Sequence, residues 1–245
     1  MSSEKRKIAF IDGKPYEIGS QHTSILKFVK SYLGEKKVPT LCDDPNLAPY
    51  GACRVCSVEV ALKKDGPTKV VASCHTPVAE NYHIFTNNED LHSLRKNIVE
   101  LVLTDHPMNC STCEVDKNCE LQDVANDLGI SEHRYNNPKQ NKGIPKDTSH
   151  AYMRMNLDNC INCGRCVRAC DEIQGSLVLT MSGRGFNQKL QLTTICCLVI
   201  LHVSLVVHVP ILVLLMLSLT FLHLNRQTMI KKLEQHVLIV ELVVI

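Results

Sequence analysis

Residues 39–60 read PTLCDDPNLAPYGACRVCSVEV, and this stretch decides the fold. A proline-rich loop carries Cys42, then a close pair, Cys53 and Cys56, and runs into the alternating Val58-Glu59-Val60 of a strand. With Cys74 downstream the spacing is C-x10-C-x2-C-x17-C. Such a loop wraps a cluster while a distant strand supplies the last thiolate. Gly51 and Ala52 keep side chains small where backbone must approach inorganic sulfide, and N–H groups there bond sulfur and tune its potential. Zinc and unrelated core thiols are the competing readings. Zinc sites usually use two close pairs, whereas here one pair stands with two distant singles. The spacing and local composition favour a [2Fe–2S] cluster on Cys42, Cys53, Cys56 and Cys74.

The flanks suit a small α+β unit over residues 5–86. Residues 7–18 (KIAFIDGKPYEI) form two short strands about Asp12-Gly13, a hairpin turn signal. Thr23 caps a helix with Ile25, Leu26, Val29 and Leu33 on one face and Gly34 as its stop. Strands at Val55–Val60 and Val70–Ser73 are joined across Lys63–Pro67. Asn88 then caps a second helix in which Leu91, Leu94, Ile98 and Leu101 recur at helical spacing, ending at His106-Pro107. Residues 131–150 are polar and read as a linker.

Composition excludes other classes. The 245 residues hold 27 Lys plus Arg against 25 Asp plus Glu, so no basic field exists to hold nucleic acid. Aromatic residues are 4% and Trp is absent, which leaves few platforms for stacking bases. The N-terminus lacks a signal-peptide run, so a cytoplasmic, reducing location is expected. In that compartment the 13 cysteines are expected to hold metal and not disulfides.

Two further groups follow. His106, Cys110, Cys113 and Cys119 are spaced H-x3-C-x2-C-x5-C, which suits a [4Fe–4S] cluster or a zinc ion equally. Cys160, Cys163, Cys166 and Cys170 form C-x2-C-x2-C-x3-C, the bacterial ferredoxin run. In two-cluster ferredoxins the fourth cysteine ligates the other cluster, and no second run exists in this chain. Arg165 and Arg168 could neutralise cluster charge, but solvated surface is the ordinary role for each. His22, His75, His83, His92, His133 and His150 receive no role.

The order of these groups, with LVLTDHPMNC, NCELQD, CINCGRCVRACDEIQG and SGRGF, resembles the N-terminal iron–sulfur module of three families. These are the large subunit of complex I, NAD-dependent formate dehydrogenase alpha subunits and iron-only hydrogenases. The resemblance spans about residues 5–190. It implies a β-grasp [2Fe–2S] domain over 5–86 and a small helical [4Fe–4S] domain over 87–130 with one His and three Cys ligands. An incomplete ferredoxin-like [4Fe–4S] domain over 151–190 follows. It also makes His106 an expected iron ligand, and flavin- and NAD-binding oxidoreductase subunits the expected partners.

Residues 191–245 break this pattern. Leu198 to Leu222 carries no charge and is long enough to span a bilayer, with Lys231 and Lys232 behind it. The alternative is a change of reading frame near residues 188–200. Val203, Val206, Val209 and Val213 sit where out-of-frame Cys codons of a second ferredoxin run would fall. Gln235 to Val244 read in the same frame gives T-C-x-Y-C-G-V-G-C, which resembles the motif opening a molybdopterin domain. On that reading the chain is a truncated formate dehydrogenase alpha-like subunit, without activity of its own. It would relay electrons between a molybdopterin site, normally in the same chain, and flavin and NAD. A complex I fragment, a membrane-tethered relay and a zinc-binding interaction protein are the alternatives.

Overall fold

The computed structural model describes residues 7–132, 134–135, 145–148 and 155–192. Most of the 131–150 linker, and the membrane and frame-change readings of the tail beyond Leu192, lie outside the described residues.

Strands β1 (Ile8–Ile11) and β2 (Lys14–Glu17) form the hairpin, with Ile11 opposite Lys14. Asp12 and Gly13 both take positive φ, 48° and 82°, as a two-residue turn between right-twisted strands demands. Helix α1 (Ile25–Leu33) starts one residue later than the sequence implies. Its cap is Ser24 and not Thr23: the Ser24 hydroxyl accepts the Lys27 N–H at 3.3 Å. Gly34 ends it as expected, at φ 89° with its N–H returned to Lys30.

Strands β3 (Ser57–Ala61) and β4 (Thr68–Ala72) pair antiparallel. β3 begins at Ser57 and not Val55, because residues 53–56 are taken by a turn in which Arg54 has φ 62°. The Ser57 N–H and hydroxyl both return to the Arg54 carbonyl, closing that turn. β5 (His83–Phe85) inserts parallel to β1 and antiparallel to β3, giving a mixed five-stranded sheet in the order β2-β1-β5-β3-β4. α1 buries Ile25, Leu26, Phe28 and Val29 against Ala9, Ile11, Val58, Val60 and Ile84. Full burial of each large apolar side chain stabilises by about 1.5–3 kcal/mol. Cys56 and Cys74 belong to this same core.

Helix α2 (Glu89–Thr104) is capped by Asn88, whose side chain accepts the Leu91 N–H at 2.7 Å. Its buried face is Leu91, Arg95, Val99, Glu100, Leu103 and Thr104, whereas Leu101 is 52% exposed. The apolar periodicity therefore misplaces the face, because two buried positions hold charges with partners. Arg95 donates to the carbonyls of Ser57 at 2.6 Å and Thr86 at 2.8 Å, and Glu100 receives Arg134 at 2.7 Å. Helix α3 (Glu120–Asp127) packs Leu121, Val124 and Ala125 on Val99 and Leu103, and Leu41 and Val55 from the first cysteine loop complete this second core.

Helix α4 (Arg165–Arg168) continues as a π-turn over Ala169–Ile173, and β6 (Leu179–Ser182) pairs with β7 (Lys189–Leu192). The class is α+β, with a mixed sheet and few helices, as expected. Among the described residues no helix is long and apolar enough to cross a membrane.

Candidate metal centres

The first group gathers where the two cores meet. Cys56 and Cys74 lie in the sheet core, while Cys53 packs against the helical one. The four thiols form two hydrogen-bonded pairs, Cys42 with Cys53 and Cys56 with Cys74, and the charge of Cys42 is felt across the second pair. The Cys42 thiol is held at about 6, first by its bond from Cys53, with N–H groups of Cys53 and Ala52 assisting against burial. Cys56 is likewise brought to about 6 by Cys74, and the donors Cys53 and Cys74 are pushed up by those bonds and then by burial.

N–H groups from the loop point at sulfur throughout. The Cys53 N–H reaches Cys42 Sγ at 3.5 Å, those of Val55 and Leu41 reach Cys53, and that of Gly51 reaches Cys74. Gly51 is required for a reason beyond small size. Its φ is 68°, and a Cβ there would stand 3.3 Å from the His75 Cβ. Soft thiolates in two pairs, ringed by N–H donors and shielded from water, fit a cluster of two irons bridged by sulfide.

In the second group, His106 follows the end of α2, Cys110 and Cys113 bracket a 3-10 turn, and Cys119 caps α3. Burial raises the Cys119 thiol, while the N–H groups of Gln122 and Leu121 at the start of α3 draw it down, as a helix N-terminus draws any anion. In the third group, Asn162 at φ 55° and Gly164 at φ 72° turn the chain so that Cys160, Cys163 and Cys166 face one way. Burial pushes Cys166 up to about 12, with Cys163 and Cys160 adding to it.

These two groups border one cavity of about 80 Å³, lined by His106, Cys110, Cys113, Cys119, Cys160, Cys163 and Cys166. Asn159 approaches Cys113 Sγ at 3.9 Å across it. Among the described residues no three His, Cys, Asp or Glu side chains close round a single metal ion. Cys170 stands apart. Its sulfur is buried beside Ser176 Oγ at 3.0 Å and receives the Val178 N–H at 3.2 Å.

Neither arginine of the third run is a surface residue. Arg165 is 6% and Arg168 is 8% exposed, which corrects the expectation of solvated roles. Arg165 lines the cavity and pairs with Glu120 at 2.6 Å, and its Nε is buried without a hydrogen-bond partner. Arg168 donates to the Cys42 carbonyl at 3.2 Å and lies over the Tyr50 ring at 4.6 Å. The signal that could have found it is the Arg168/Glu172 pair at i,i+4, which starts within the cysteine run and ends just beyond it. His22 is a satisfied core histidine, receiving the Gly19 N–H at 2.9 Å and touching Ser31 Oγ at 3.0 Å.

Two family models match the chain: a 2Fe-2S iron-sulfur cluster binding domain over residues 6–89, and the NADH-ubiquinone oxidoreductase-G iron-sulfur binding region over residues 95–134. The NADPH-Fe(3+) oxidoreductase subunit alpha of Geobacter sulfurreducens is 33% identical over 71% of this chain and 20% of that protein. The NADP-reducing hydrogenase subunit HndD of Solidesulfovibrio fructosivorans is 35% identical over 72% of this chain and 30% of its own length. The NADH-ubiquinone oxidoreductase 75 kDa subunit of Reclinomonas americana is 31% identical over 74% and 25% respectively. The chain thus spans between a fifth and under a third of these relatives. A crystal structure of an NAD+-reducing [NiFe]-hydrogenase in the H2-reduced state superposes with a TM-score of 0.61 at 26% identity, covering 76% of this chain and 75% of that one. The cofactors of this chain are accordingly [2Fe–2S] and [4Fe–4S] clusters.

Proposed function

We propose that this chain, which carries the N-terminal [2Fe–2S] and NADH-G-type [4Fe–4S] modules of the complex I 75 kDa and NAD-reducing hydrogenase family, is an electron relay. Cys42, Cys53, Cys56 and Cys74 would hold the [2Fe–2S] cluster in a β-grasp domain, residues 5–86. His106, Cys110, Cys113 and Cys119 hold a [4Fe–4S] cluster in residues 87–130. Cys160, Cys163 and Cys166 supply three ligands to another in residues 151–190, and Cys170 belongs to a different site.

Such clusters, when bound, would supply one-electron redox chemistry. The residues around them exclude water, donate N–H groups to sulfur and place positive charge nearby. One observation carries the reading. Cys53 of the first group, Cys119 of the second and Ile161 of the third all pack against the same apolar core. Sites sharing one dry core are suited to pass electrons through it.

The partners that fit are flavin- and NAD(P)-binding subunits, since the similar proteins are named as NADH-, NADPH- and NADP-linked oxidoreductases. These relatives favour an NADH-quinone oxidoreductase-type or hydrogenase-type subunit over the formate dehydrogenase reading. The out-of-frame cysteine pattern at Gln235–Val244 is what supports the second reading, a formate dehydrogenase alpha-like subunit.

Anaerobic redox cycling tests the relay. The full chain should lose visible absorbance with dithionite and regain it when cytochrome c is added, with electrons returned matching those taken up. A colourless, zinc-loaded chain that takes up none would refute it.

A further inference from the structure

We infer that Arg168 and Glu172 form a charged clamp that sets the reduction potential of the [2Fe–2S] site from the other end of the described chain. The inference rests on the ligand assignment proposed above. The loop between Cys42 and Cys53 is tied from outside its own domain as well as within it. Arg168 spreads its guanidinium over three acceptors: the Cys42 carbonyl through Nη1 at 3.2 Å, the Ala48 carbonyl through Nη2, and Glu172 Oε1 through Nε at 3.1 Å. Glu172 Oε2 accepts the Ala48 N–H at 2.7 Å. Both backbone groups of Ala48 are thus taken by the same pair. Tyr50 completes the seat, with the cation 4.6 Å from its ring centre and its ring edge against Gly164.

An exposed i,i+4 pair would contribute little. This one is different, because the arginine is buried and its fork bonds the backbone of a cluster ligand. Reduction adds negative charge to a cluster. A fixed cation beside Cys42 favours the reduced form and a fixed anion disfavours it. Arg168 and Glu172 therefore act with opposite signs on one site, and only the arginine touches a ligand residue directly. A merely structural clamp would have no such signature, since loosening either end would move the potential the same way.

The experiment is an EPR-monitored redox titration of the [2Fe–2S] signal in the full, cluster-loaded chain. Arg168→Gln should lower the reduced-to-oxidised ratio at fixed potential about tenfold, a fall of about 59 mV for one electron. Glu172→Gln should raise the ratio, and Arg168→Lys, which keeps the charge, should stay near the parent. Shifts of the same sign in Arg168→Gln and Glu172→Gln, no shift in either, or a lysine variant as displaced as the glutamine one would each overturn the proposal. Should Arg168→Gln fail to assemble, the upward shift in Glu172→Gln decides alone. Cys53→Ser separates the two levels. A [2Fe–2S] signal surviving it overturns the ligand assignment, whereas a signal lost there but unmoved by the charge variants overturns the clamp only.

Discussion

Arg165 donates to the Glu120 carboxylate at 2.6 Å, joining the third cysteine run to the first residue of the helix that Cys119 caps. The arginine is buried and the glutamate is partly exposed. Glu120→Gln leaves a buried cation without its counter-charge. The expected loss is about 1–3 kcal/mol, discounted for the wet side of the glutamate. In a chain of this size that lowers the thermal midpoint by roughly 3–10 °C. An unchanged midpoint would show that the pair does not hold the two segments together.

Cys170 and Cys163 should behave oppositely. Cys163 faces the cavity with Cys160 and Cys166, while Cys170 is turned to Ser176 and Val178. Cys163→Ser is expected to lower bound iron and acid-labile sulfide, and Cys170→Ser to leave both at the parent level. Equal losses would mean that Cys170 completes the site after all.

Gly51→Ala adds a Cβ at a left-handed backbone position and sets it against His75. The conformational cost alone is about 1–2 kcal/mol. The loop N–H that reaches Cys74 moves with it, so the [2Fe–2S] content should fall while the [4Fe–4S] content holds. EPR spin quantitation of each cluster type checks this, and parallel loss of both would contradict it.

Asp12 ties the first hairpin to the end of β5, accepting the Thr86 N–H at 2.8 Å and its hydroxyl at 2.6 Å. Hydrogen bonds to a carboxylate are the strong kind. Asp12→Ala is expected to cost about 2–4 kcal/mol, part of it from placing alanine at positive φ. A thermal midpoint within error of the parent would refute the assigned role.

Much of this is legible in the sequence, and what is not has a common cause. Asp12-Gly13, Asn88 and Gly34 act through local backbone chemistry, so turn, cap and stop can be read directly. The cysteine spacings likewise state which thiols a loop can bring together. β5 cannot be read: three residues carry no periodicity, and the strand exists because β1 and β3 leave a gap for it. The buried face of α2 is misplaced because Arg95 and Glu100 are charged yet partnered by groups far along the chain. Arg165 and Arg168 escape for the same reason. Their acceptors, Glu120, Cys42 and Ala48, are 45, 126 and 120 residues away. The second core is also invisible, since Leu41 and Val55 belong to one cysteine loop and Leu121 follows another.

Mössbauer spectroscopy of the iron-57-enriched, anaerobically isolated full chain, before and after dithionite, tests the relay most directly. Two populations are expected, one of [2Fe–2S] and one of [4Fe–4S] clusters, both changing on reduction. The [2Fe–2S] component alone should vanish in Cys53→Ser. A chain carrying zinc with no acid-labile sulfide, or iron of a single type untouched by dithionite, would contradict the relay.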